Sequence, residues 1–385
     1  MKLSKFILAI ISITLFCGCV DSSSKPEKEE VLTAMRQAND YFMNKWSDPG
    51  QPIPYPSRNR NYESNVWTRA YYYVGLMELW KVDPQQRYIN YALEWGNHHN
   101  WGLRNAREGW KTRNADNQCA GQAYIFLYNL DPQKPEPYIK NIKLSVDSMM
   151  QTDRIDDWSW IDAVQMSMPI FAQLGNLTGD KAYYDRAYEM YMYTKLKHGE
   201  TGLYNPADQL WWRDGDFDPP YTEPNGEDCY WSRGNGWIVV AMARMLDLLP
   251  ADEPHRKEYE TMLVDMCHAL KKVQRKDGLW NVSLHDPDYF GGKELSGTAM
   301  FAYGMAYGVN NGLLPADEFK PVIYKAWKGM VNDCLHPNGF LGYVQGTGKE
   351  PKEAQPVTYE REPDFDDYGL GAFLMAGAEI YKMIE

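Results

Sequence analysis

Six short clusters of aromatic, acidic and small residues punctuate the sequence, and their spacing limits the possible folds. They are Glu63-Ser64-Asn65-Val66-Trp67, Asn114-Ala115-Asp116-Asn117, Trp158-Ser159-Trp160-Ile161-Asp162, Ser232 to Trp237, Ser296-Gly297-Thr298 and Asp366-Asp367-Tyr368-Gly369. They recur about every 45–70 residues, the pace of a helix-pair repeat. Between them the chain reads as helix after helix. Val66, Ala70, Tyr73, Met77 and Trp80 keep one apolar stripe, Ile161, Val164, Met168 and Phe171 another, and Val239, Met242, Leu246 and Leu249 a third. Each stripe predicts one buried helical face.

Periodicity and stop signals predict about twelve helices, near 30–46, 64–80, 86–99, 114–129, 135–150, 159–174, 181–197, 232–249, 255–274, 296–311, 315–331 and 367–383. Every cluster opens an even-numbered helix. Short-linked helices run antiparallel, so the even helices all start at one end of the molecule. The fold class that follows is all-α, an (α/α)6 toroid of six hairpins with its chemistry at one end. No Pro/Ser-rich linker divides residues 31–385, which read as a single catalytic domain. The long connection is Gly199 to Trp231, with Trp211-Trp212-Arg213-Asp214. It precedes an even helix and so hangs over the same end; long loops of this kind are often functional.

The N-terminus has a basic start, Met1 to Lys5, and an apolar run, Phe6 to Phe16, too short to span a bilayer. We read residues 1–18 as a lipoprotein signal peptide, Cys19 as the lipidated residue and 19–30 as a flexible tether. That places the protein in a bacterial cell envelope, facing the periplasm or the cell surface. The membrane contact is the lipid anchor alone. Cys119, Cys229, Cys267 and Cys334 lack metal-site spacing and read as mostly buried free thiols.

A formal net charge of −12 argues against a nucleic-acid partner. The 14 Trp and 28 Tyr suit a carbohydrate, since aromatic rings pack on the apolar faces of sugars. There is no G-x-S-x-G elbow and no P-loop, and His98-His99 reads as a surface pair.

Asp162 is the leading candidate for proton chemistry. It sits on a first helical turn among bulky apolar neighbours, where partial desolvation raises a carboxyl pKa. Asp116 holds the equivalent place one hairpin earlier, and two such carboxylates facing one pocket push their pKa values apart. Each also reads as a simple cap. Arg233 is the candidate for gripping a substrate carboxylate, or else pairs inside the fold. Trp67, Trp160, Trp231 and Trp237 read as stacking walls or as core, Trp211 and the pair Ser296 and Thr298 as further substrate contacts. Ser232 reads as a helix N-cap, and Gly234 and Gly236 as access for a ligand.

Taken together, Ser232-Arg233-Gly234-Asn235-Gly236-Trp237, Trp160-Ile161-Asp162-Ala163 with Met168-Pro169, Ala115-Asp116-Asn117 with Gly121-Gln122, and Ser296-Gly297-Thr298-Ala299 resemble glycoside hydrolase family 105 and its unsaturated glucuronyl hydrolase relatives. The resemblance covers nearly everything after the tether, to Tyr368-Gly369-Leu370-Gly371. It implies an (α/α)6 barrel and a hydrolase that removes a terminal 4,5-unsaturated uronic acid from lyase-generated, rhamnogalacturonan-like oligosaccharides of the pectin type. In that reaction the aspartate matching Asp162 protonates C4 of a vinyl ether, water adds at C5, and the aspartate matching Asp116 assists. The residues matching Arg233, Trp231, Trp237 and Trp160 shape the sugar subsite. No metal and no organic cofactor is implied. The sequence departs from many relatives at Asn205, where they carry histidine, and around Asp156-Asp157-Trp158, where they carry a His-Lys pair. Galacturonyl or glucuronyl preference is left open. Two other readings stand beside this one: an inverting glycosidase using Asp116 and Asp162 on saturated glycans, and a non-catalytic glycan-binding lipoprotein.

Overall fold

A computed structural model describes residues 24–55, 59–199 and 201–384. The predicted signal peptide and Cys19 lie outside the described residues. Twelve main helices occur in the predicted order: α1 (Lys28–Lys45), α2 (Trp67–Val82), α3 (Gln86–His98), α4 (Ala115–Gln118 continuing as Ala120–Leu130), α5 (Pro137–Met150), α6 (Asp162–Thr178), α7 (Ala182–Leu196), α8 (Ser232–Leu248), α9 (Arg256–Lys272), α10 (Leu295–Asn310), α11 (Ala316–Gly329) and α12 (Tyr368–Met383). Helix α1 starts at Lys28, inside the stretch read as tether.

The even helices form a closed inner ring. Helix α2 packs on α4, α4 on α6, α6 on α8, α8 on α10, α10 on α12, and α12 returns to α2. The odd helices lie outside this ring and bury one face: α3 buries Tyr88, Ile89, Tyr91, Ala92 and Trp95 and exposes the opposite face. The inner helices differ from prediction. Residues 232–246 of α8, 295–308 of α10 and 162–175 of α6 are buried on every side. A helix walled in by two neighbours, an outer helix and the barrel axis has no solvent face, so no polar stripe is selected. Small residues allow the close approach this requires. A Cβ on Gly75 would lie 2.3 Å from the Gly371 carbonyl oxygen, at the seam between the first and last inner helices.

Two small antiparallel ribbons cover the end where the even helices start. Ile53–Tyr55 (β1) pairs with Arg60–Tyr62 (β2), Ile53 opposite Tyr62. Tyr204–Asn205 (β3) pairs with Leu210–Trp211 (β4) inside the long connection, which is therefore a folded hairpin with turns. Cys119, Cys229, Cys267 and Cys334 are buried and free.

Candidate active site

Asp162 is the first residue of α6, and its carboxyl is held from above by the long connection. Arg213 donates from Nε to Asp162 Oδ2 at 3.2 Å, and its Nη1 reaches Asp214. The backbone repeats the link: the Ile161 N–H donates to the Arg213 carbonyl at 3.0 Å, and Trp160 bridges Asp214. Asp162 is 8 % exposed. Burial pushes its carboxyl above the usual range, while Arg213 and Arg233 pull it back. A buried acid beside a fixed cation is rigid and only moderately acidic.

Asp116 lies on the first turn of α4, below the Asn114 cap, whose side chain accepts from the Asn117 N–H. It is half-buried. Burial, and next the negative charge of Asp162, push it up to about 7, while Arg213 and Arg104 pull it down. The charge of Asp162 thus adds to burial in favouring the protonated form of Asp116. Trp67 and Trp160 are half-buried beside them. Trp67 stands edge-on to Trp237, with centroids 5.9 Å apart, and tilts against Tyr368.

The other predicted contacts are interior. Arg233 is 1 % exposed. It donates to the carbonyls of Gln345 and Gly346 at 2.7 and 2.8 Å, and its guanidinium lies over the rings of Trp231 and Tyr368. Both terminal nitrogens hold the 345–346 backbone, and its charge is felt at Asp162. Trp231, Trp237 and Trp211 are buried as well; Trp231 Nε1 donates to Gln345 Oε1 at 2.8 Å. Asn235 pins the long connection, accepting from the Trp211 N–H and donating to the Trp211 carbonyl. Ser232 is the first helical residue, with Trp231 in the cap position, so it does not cap α8. Gly234 and Gly236 serve packing: a Cβ on them would lie 2.9 Å from Trp231 and 2.7 Å from the Met300 sulfur. Ser296 and Thr298 are buried and bound to Glu294, whose carboxylate caps α10. The 231–237 stretch is thus the anchor beneath two roof loops, and a wall of the pocket only through what it holds.

Arg213, Asp214 and Arg104 are the functional candidates that sequence reading did not select. Arg213 had a signal, since Trp212-Arg213-Asp214 stands in the long connection before α8. Arg104 had none, being set by loop geometry.

A cavity of about 890 Å³ is lined by neither aspartate. It lies on the same end, lined by Trp46, Tyr55, Gly346, Thr347, Asp364 and Asp366 among others. Its size is that of a ligand site. Donors of metal type meet at one place among the described residues. Glu63, His98 and His99 have ligand atoms within 4.8 Å of one another. His99 Nε2 is already bonded to Ser64 Oγ at 2.7 Å, and burial lowers that imidazole to about 4.

A closed ring of six helical hairpins with two carboxyls at one end gives the protein an (α/α)6 fold. Comparison narrows this. The sequence model of Glycosyl Hydrolase Family 88 matches residues 34–384, and the chain belongs to that family. It is 30% identical over 336 residues to the unsaturated 3S-rhamnoglycuronyl hydrolase of Formosa agariphila, covering 83% of this chain and 85% of the relative. The solved structure of a glycosyl hydrolase family 88 protein from Bacteroides vulgatus superposes with a TM-score of 0.83 at 29% identity, covering 93% of this chain and 100% of that one. A possible family 105 member from Salmonella enterica shares the fold, with a TM-score of 0.72 at 20% identity, covering 92% and 94%.

Proposed function

We propose that this glycoside hydrolase removes the terminal 4,5-unsaturated uronic acid from lyase-generated oligosaccharides by hydrating the C4=C5 vinyl ether. The observation that carries the reading is the Asp162–Asp116 pair, raised by burial and oriented by Arg213. Arg213 occupies Asp162 Oδ2, which leaves Oδ1 to deliver the proton. The proton goes to C4 and the π electrons form the new C–H bond. Positive charge develops at C5, stabilised by the ring oxygen and the ionised carboxylates. Water adds at C5 and gives a proton back to the pair, and the resulting hemiketal opens with loss of the sugar at C1. Trp67 and Trp160 supply ring faces for stacking.

The name of the Formosa relative guides the choice of substrate: an unsaturated uronyl residue joined to rhamnose is the first to try. The test is loss of the double-bond chromophore. Asp162→Asn should lower kcat by at least about 10²–10⁴-fold, and normal turnover by that variant rejects the role of Asp162. We also propose export and lipidation at Cys19. Mass spectrometry of the membrane fraction should find a diacylglyceryl-modified Cys19, and Cys19→Ala should release the protein from membranes.

A further inference from the structure

Glu63, His98 and His99 take no part in the carboxyl site, yet the local fold is shaped around them. Their ligand atoms lie within 4.8 Å of one another. His98 is the last residue of α3 and His99 its C-cap, while Glu63 stands just ahead of Trp67 and α2. Glu63 and His98 are exposed, and among the described residues neither side chain has a hydrogen bond or an ion pair. The two imidazoles stand at 76° to each other, with centroids 4.8 Å apart. A carboxylate and two imidazoles in one place form a donor set suited to a divalent transition metal.

Hydrogen bonding fixes the free lone pair of His99. The Ser64 hydroxyl meets the Pro49 carbonyl at 2.9 Å and His99 Nε2 at 2.7 Å. A carbonyl only accepts, so the serine proton goes to Pro49 and His99 donates from Nε2. Burial keeps this imidazole neutral near neutral pH, and its lone pair is therefore on Nδ1. Metal-binding histidines show this pattern, the second ring nitrogen donating to an oxygen that sets the ring's orientation. His98 has a slot of its own. Gly50 is buried and does not adopt a positive φ, so its backbone does not require glycine. What it supplies is room: a Cβ there would lie 2.2 Å from His98 Nδ1 and 2.3 Å from its Cγ. The turn that carries Pro49 and Gly50 is closed by the Gly50 N–H to Asp48 Oδ1 at 2.9 Å and the Gln51 N–H to the Asp48 carbonyl at 3.1 Å. One closed turn thus seats both rings, His99 through Ser64 and His98 against Gly50.

We propose that Glu63, His98 and His99 bind one divalent transition metal of the zinc type, which ties the end of α3 to the segment leading into Trp67 and α2. Water completes the coordination shell, and the role is structural. Ligands on a tetrahedral zinc stand about 3.4 Å apart, so the exposed Glu63 and His98 side chains close in by rotation as the ion enters. The proposal is independent of the reaction the enzyme performs. The test titrates the metal-stripped full chain with zinc chloride by calorimetry near neutral pH. One zinc per chain should bind with a Kd on the order of 1–10 µM, weaker than a site with four protein ligands. Saturating zinc should raise the melting temperature by about 3–6 °C. His98→Ala and Glu63→Gln alter exposed side chains, so each should melt like the wild type without metal. Each should also weaken zinc binding at least about tenfold and remove the thermal gain. Cobalt should give visible d–d absorption in the wild type and lose it in His98→Ala. Zinc binding weaker than about 100 µM overturns the site. So does zinc binding that both substitutions leave unchanged, and so does an equal response to calcium or magnesium, which prefer oxygen ligands.

Discussion

Arg213 Nε and Asp162 Oδ2 meet at 3.2 Å across 51 residues of chain, and this contact joins the long connection to the start of α6. The same arginine lowers the proton affinity of both Asp162 and Asp116. Replacing it by methionine should move both carboxyls to higher pKa, so the alkaline limb of the kcat profile shifts upward. It should also cut kcat by about 10²-fold through lost orientation and charge stabilisation. A pH–rate profile of the variant decides this, and an alkaline limb at or below the wild-type position would rule out the electrostatic role.

Asp116 makes folding stability depend on pH in a definite direction. Its native pKa of about 7 stands above the unfolded carboxylate value. Its contribution is therefore fully present below about pH 4 and is lost as pH rises through about 7. Asp116→Asn stays neutral throughout and escapes the loss. Relative to wild type it should gain roughly 1–3 kcal/mol between pH 5 and pH 8, after discounting for partial exposure. Urea melts of both proteins at the two pH values measure the difference, and an unchanged gap contradicts the raised pKa.

Arg233 should behave as a structural residue. Arg233→Met leaves the Gly346 carbonyl without its donor and the Gln345 carbonyl with the Tyr368 hydroxyl alone, at a cost of about 2–4 kcal/mol. The expected result is a melting temperature several degrees lower and a raised KM, because the 344–348 wall of the large cavity loosens. A variant that melts with the wild type, yet binds uronate-bearing substrates far more weakly, returns Arg233 to the role of a substrate grip.

The helices and the end of the barrel that carries chemistry were legible because their signals are local. Periodic stripes, caps and the clusters at even-helix starts need only neighbouring residues. Asp162 and Asp116 were singled out as candidates for the same reason, each standing at the start of an even helix. The burial of Arg233, Trp231 and Trp237 was not legible, because an inner ring buried on all sides uses the residue types that a sugar site uses. Only packing tells whether an indole faces a sugar or Tyr71, whose ring lies 4.7 Å from Trp237. Arg213 and Arg104 are set by tertiary contacts of loops, which carry no period. The glycines of the 231–237 stretch illustrate the same limit, since Met300 explains Gly236 and stands 64 positions away.

Gly75→Ala tests the seam of the ring. The added Cβ would meet the Gly371 carbonyl oxygen at 2.3 Å, too close to be relieved by a side-chain rotation. Overpacking of this kind costs about 1–3 kcal/mol. Thermal melts should show the loss, and kcat should fall less than stability because the aspartates lie on α4 and α6, away from the seam. Wild-type stability in Gly75→Ala would mean that the two helices approach less closely.

The meeting of α2 and α12 also sets a timetable for synthesis. Helix α2 emerges early from the ribosome and α12 only after the nine main helices between them. At roughly 5–20 residues per second the wait is on the order of tens of seconds. Throughout it the ring is open and one flank of α2 has nothing to pack against. A nascent chain stalled before Tyr368 should be cut within α2 by a protease that spares the released protein. The barrel thus cannot close before α12 is made, and until then an open ring is the form that chaperones meet.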